Sequence, residues 1–96
     1  MPNPSYTAQL QSTVQTIDTL LSSGACDVTR AHDLARTVGA LSDQSGFHEI
    51  ASVAYQAEEF LARYLDGGAA IDPEIFENLM LNLQSICRTA IAEDGI

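Results

Sequence analysis

His32 and Arg36, one helical turn apart, are the two side chains in this chain best suited to chemistry. An imidazole nitrogen is a competent nucleophile near neutral pH and can carry a transferred group. A guanidinium stays protonated, offers no nucleophile, and instead grips carboxylate or phosphate through paired N–H donors. Whichever of the two holds the working position decides whether the chain reacts or only binds. The other reactive types are poorly placed. His48 reads as ordinary surface near the start of a helix. Cys26 and Cys87 are too far apart in sequence for a redox or metal motif, and read as reduced thiols, one near a turn and one in a core. Glu58 and Glu59 are adjacent and so do not share a helix face. There is no E-x-x-H pair of the kind that builds di-metal bundles. "DGGAA" lacks the lysine and the following serine or threonine of a phosphate loop. No serine–histidine or cysteine–histidine spacing stands out. The expectation is no metal, no cofactor and no enzyme activity, unless His32 is itself a working nucleophile.

Thirteen acidic residues against four arginines and no lysine give a net charge of −9. That balance argues against nucleic acid or an anionic membrane as a partner. It favours solubility and could steer a basic partner. No apolar run is long enough to cross a membrane, and "MPNPSYTAQLQ" has no signal-peptide pattern, so a cytoplasmic location is expected. Ninety-six residues suit one domain, 1–96, alone or as a module of a larger regulator.

The elements that must carry these residues are helical. Asn3 is placed to cap a first helix with Pro4 in its first position, and Gly24 to end it. Tyr6, Leu10, Val14, Ile17 and Leu21 recur along it at helical spacing. Asp27 caps a second helix whose inner stripe is Val28, Ala31, Leu34, Ala35, Val38 and Leu41; "SDQSG" stops it. A third starts near Phe47, with Ile50, Val53, Ala54, Ala57, Leu61 and Tyr64 inside. After the loop "DGGAAID", Asp72 caps a fourth that opens on Pro73 and carries Phe76, Leu79, Met80, Leu83, Ile86, Cys87 and Ala90 inward. The tail "EDGI" is expected to fray. The spans are about 4–23, 28–43, 47–65 and 73–92. Short connections between them predict an all-α, antiparallel up-down four-helix bundle.

On a wheel of about 100° per residue, the second helix is expected to turn Thr29, His32, Asp33, Arg36, Gly39, Ala40 and Asp43 away from the core. Glycine in a helix interior costs roughly 1 kcal/mol relative to alanine. Gly39 followed by Ala40 therefore suggests a bare shelf beside Arg36, open to the backbone of another protein.

From Asp27 to Leu61 the sequence resembles the second and third helices of histidine-containing phosphotransfer (HPt) domains. Their signature runs roughly A-H-x-L-K-G-[ST]-x-G-x-x-G-F, followed by an amphipathic helix. The resemblance implies a four-helix bundle that exchanges a phosphoryl group between its histidine and the aspartate of a receiver domain. It also implies a lysine that holds the phosphate and a glycine that clears room for the receiver. Two registers compete. With His32 as phosphoacceptor, "AHDL" matches directly, but Ala35 and Arg36 replace the lysine and glycine, and Gly46–Phe47 arrive four residues late. With Arg36 at the histidine position no gap is needed. "DVTRAHDLA" then precedes it in register, Gly46 and Phe47 fall on G-F, and Ile50, Val53, Ala54, Ala57 and Glu58 fall on the third helix. The gapless register is the better match. It puts Gly39 in place of the lysine and Ala40 in place of the glycine.

The resulting expectation is an HPt-like scaffold that has lost its phosphoacceptor and docks a receiver domain or another signalling protein in two-component phosphorelay signalling, without accepting phosphate. Its binding residues are His32, Arg36, Gly39, Ala40 and Asp43, and it has no catalytic residue. One alternative is a working phosphotransfer domain that uses His32. Another is a helical dimerisation or adaptor domain, a homodimer among its forms, unrelated to phosphorelay.

Overall fold

The computed structural model of the chain describes residues 4–24, 26–68 and 70–94. Among these are four helices and no strand: α1 (Pro4–Ser23), α2 (Val28–Gln44), α3 (His48–Gly67) and α4 (Pro73–Asp94). They form an antiparallel bundle of 43 × 24 × 16 Å. The expected starts hold to within a residue. Asp27 caps α2 by accepting from the Arg30 N–H at 3.1 Å, and Asp72 accepts from the Glu74 N–H at 2.8 Å. Gly24 and Gly68 take positive φ after the helices they follow, as helix-ending glycines do. The capping expected of Asn3 lies outside the described residues.

Three details of the ends depart from expectation. Phe47 does not begin α3 but sits at its N-cap with no capping side chain. Its ring instead stacks on Tyr6, with centroids 5.2 Å apart. At the other end α3 runs through Gly67, because the left-handed residue that stops it is Gly68. In the tail, α4 extends to Asp94, so Glu93 is helical; Gly95 and Ile96 lie outside the described residues.

The contacts are uneven. α2 packs most extensively on α3, and α1 on α4, while α3 meets α4 more thinly. Small residues account for the first pair: Ala31, Ala35 and Gly39 on α2, and Ala51, Ala54 and Ala57 on α3, are all buried. Short side chains let helix axes approach closely. The bulky part of the core comes from the other two helices, with Tyr6, Leu10, Ile17, Phe76, Met80 and Leu83 all buried.

Two polar links, one buried and one partly buried, fix α1. The Tyr6 hydroxyl lies 2.8 Å from Ser42 Oγ on α2. Gln84 on α4 donates to the Val14 carbonyl at 3.0 Å and to Asp18 Oδ1 at 2.8 Å. The thiols fall as expected, Cys26 half-buried beside a turn and Cys87 in the core.

Burial pushes the Cys87 thiol from 9.0 up to about 12. A thiolate would be desolvated there, so the folded chain keeps the proton over a pH range in which the unfolded chain has released it. The folded state then holds the extra proton, and its stability falls as pH rises between those two values. The slope is at most about 1.4 kcal/mol per pH unit. Chemical denaturation at pH 8 and pH 10 should show the wild type losing about 1 kcal/mol more than Cys87→Ala over that interval. An equal loss in both proteins would mean that the thiol is not shielded in the fold.

Candidate functional site

The residues singled out on α2 separate into three settings. Arg36 is exposed, and among the described residues it has no ion-pair partner. His32 is recessed, with 21% of its side chain exposed, and its Nδ1 lies 3.7 Å from Asp33 Oδ1. Asp43 is exposed but engaged: its Oδ1 lies 2.9 Å from Nδ1 of His48, which bridges the end of α2 to the start of α3. His48 is a surface residue, as its position suggested, and has this local role.

Gly39 overturns the expected shelf. It is buried, not exposed. A Cβ built on it would lie 2.6 Å from Cε1 and 2.8 Å from Cδ1 of Tyr55 on α3. The space left by the missing side chain is filled by this chain's own aromatic ring. Helix geometry gives the reason. Ala31, Ala35 and Gly39 are spaced by four, and each such step turns only about 40°, so the three form one row along the flank of the buried face. His32, three residues before Ala35, lies at the edge of the same row and is partly buried there. Ala40 is half-buried. The expected notch beside Arg36 is therefore closed at Gly39 and capped by Tyr55, itself 41% exposed.

Tyr55 is the residue that sequence reasoning missed. Its signal was indirect: a glycine inside a helix, in a row of small residues spaced by four, marks a close approach of something large. Glu58 and Glu59 diverge as adjacent helical residues must, the first half-buried and the second exposed. Glu58 Oε2 is buried, with no hydrogen-bond partner among the described residues. Three residues after Tyr55, it continues the side of α3 that faces α2.

No family model, curated protein or solved structure matches this chain. Its chemistry is therefore read from its own surface. Among the described residues no three histidine, cysteine, aspartate or glutamate side chains converge as a metal site would require. Nor is any helix long and apolar enough to cross a membrane. What α2 offers is a cation, Arg36, fixed on a rigid helix. Beside it on the same surface lie a seated aromatic ring and a recessed imidazole.

The pairing of Gly39 with Tyr55 can be measured. Alanine at position 39 gains about 1 kcal/mol of helix propensity, but its methyl occupies the place of the ring. Gly39→Ala should realise that gain in a Tyr55→Ala background and forfeit about 1 kcal/mol of it when the tyrosine is present. Thermal or chemical denaturation of the four proteins gives the coupling directly, and a coupling near zero would show that the ring is not seated there.

Proposed function

We propose that this chain is an HPt-like interaction domain that docks a receiver domain in two-component signalling without taking up phosphate. The observation that carries the reading is the exposed Arg36, unpaired among the described residues, at the position where the gapless register places the phosphoacceptor histidine of the HPt domains it resembles. The four-helix bundle supports it as the right scaffold. The recessed position of His32 weighs against the register in which it carries phosphate, because an in-line phosphoryl transfer needs an accessible nucleophile. On this reading the domain works in the cytoplasm, alone or as one module of a larger regulator.

The docking mechanism follows from charge and differs from an open notch. A receiver's phosphorylation pocket is lined by carboxylates that hold a divalent metal. Arg36 brings a permanent positive charge to the point where a histidine would enter. Arginine binds carboxylate through two parallel N–H donors, and such bonds are about twice as strong as neutral ones. Arg36 thus plugs a metal-free, unphosphorylated receiver and competes with its phosphodonor. With Gly39 covered, Tyr55 supplies the adjoining contact, and half-exposed tyrosines suit interface centres.

Truncating one partner of a buried charge pair costs about 2–5 kcal/mol, so Arg36→Ala should weaken receiver binding at least tenfold. Magnesium should weaken it too, by competing for the same carboxylates. Calorimetry with receiver proteins encoded near the gene measures both effects. Receiver affinity indifferent to Arg36→Ala and to magnesium would end the plug model. Incubation with a phosphorylated receiver should leave no acid-labile phosphate on this chain; phosphohistidine at His32, found by mass spectrometry, would make it a working phosphotransfer domain instead.

A further inference from the structure

The seam between α3 and α4 is not closed. Ile50, Val53 and Phe60 on α3 and Ile75, Leu79 and Ile86 on α4 line a continuous open groove along it. Several of these were expected inside the core from their spacing. The structure instead leaves Ile50, Val53, Phe60, Leu79 and Ile86 half-buried and Ile75 exposed. On α4 the groove-lining positions run from Ile75 to Glu93 at alternating three- and four-residue steps, a length of about 27 Å at 1.5 Å per residue. Two parallel helical stripes with a trough between them match the ridges of one further helix of about five turns.

Charge narrows what that helix can be. None of the four arginines lines the groove, whereas Glu49 and Glu93 flank the end nearest the α2–α3 turn. His48 lies at the same end, but its ring is bonded back to Asp43. The remaining edge is neutral, from residues such as Gln56, Asn82 and Ser85. With no lysine and a net charge of −9, the chain repels a second copy of itself and an anionic lipid surface alike. Among the described residues no buried polar groups converge in the groove as a small-molecule site would have them.

We propose that the α3–α4 groove binds an amphipathic helix of a partner protein, whose apolar stripe fills the trough and whose basic end meets Glu49 and Glu93. The mode is a helix laid in a groove, read by apolar anchors at three- and four-residue spacing. The site is separate from the Arg36 surface and does not depend on the receiver reading.

The test uses the full chain, ¹⁵N-labelled, and synthetic helical peptides of about 18 residues. One carries leucines at three- and four-residue spacing with arginines clustered at one end. A second replaces those arginines with glutamates, and a third replaces the leucines with glutamines. The first should bind and shift the amide resonances of Ile50, Val53 and Ile86, and the other two should bind at least roughly tenfold more weakly. The exposed pair Glu49→Lys with Glu93→Lys should reduce affinity for the first peptide by a similar factor while the melting temperature stays near that of the wild type. Arg36→Ala should leave it unchanged. Equal binding of the arginine and glutamate peptides overturns the proposal, as do shifts confined to α2. A dimer in sedimentation whose interface covers Val53 and Ile86 overturns it in favour of self-association.

Discussion

The close approach of α2 to α3 is the constraint on which the rest of this bundle depends. It is built from alanine and glycine, which bury little apolar area each. A buried CH₂ contributes about 0.8 kcal/mol, against roughly 1.5–3 kcal/mol for a whole leucine or phenylalanine. The pair is held by proximity, many weak atomic contacts at short range, and not by large side chains. Seating Tyr55 over Gly39 also fixes the register of the two helices. Because α3 spends its alanine face on α2, its larger stripe of Ile50, Val53 and Phe60 turns toward α4. There the contact is thin, and α4 packs more extensively on α1, with Phe76 beside Leu20 and Leu21. The tight seam and the open groove are two results of one distribution of side-chain size.

A core of this kind needs something to specify its register, since small residues can slide past one another. The buried hydroxyl pair of Tyr6 and Ser42 ties α1 to α2. Gln84 ties α4 to α1 at both a backbone carbonyl and a carboxylate. Each link satisfies polar groups that would be costly to leave unpaired in the interior. Displacing either helix by one turn would break them. Phe47 adds a third constraint by stacking on Tyr6, which holds the turn between α2 and α3 against the start of α1.

Helix boundaries were legible because their signals are local. Asp27, Asp72 and Pro73 act on the first turn that follows them, and a glycine with positive φ acts on the turn before it. Where two glycines stand together, as at Gly67 and Gly68, local chemistry does not choose between them, and α3 runs two residues further than expected. Faces were less legible. Periodicity says which apolar residues share a side but not which neighbour covers it, so Ile50, Val53, Leu79 and Ile86 could be grouped correctly and still be placed too deep. Gly39 was misplaced for a related reason: a residue without a side chain carries no hydropathy, and only its place four residues after Ala35 and eight after Ala31 marks it as part of the packed flank. Arg36 was easier, since a long cation has no favourable place except the solvent side.

Electrostatics set the two proposed surfaces in opposition. The field of a chain with net charge −9 attracts a basic helix from a distance and repels an acidic receiver pocket. At physiological salt that field decays over about 8 Å, so it governs encounter far more than the final contact. A basic helix would therefore be steered toward Glu49 and Glu93. A receiver would have to approach against the net charge and be held by Arg36 only once the two surfaces meet. Arg36 is an exposed cation three residues before the Gly39 over which Tyr55 is seated, so its charge acts at short range where the global field is unfavourable. Added salt then has opposite effects on the two encounters: it screens the attraction that speeds the first and the repulsion that slows the second. An apolar groove with acids at one end and an exposed arginine, Arg36, on a different helix can hold two partners of unlike charge without either competing for the other's surface.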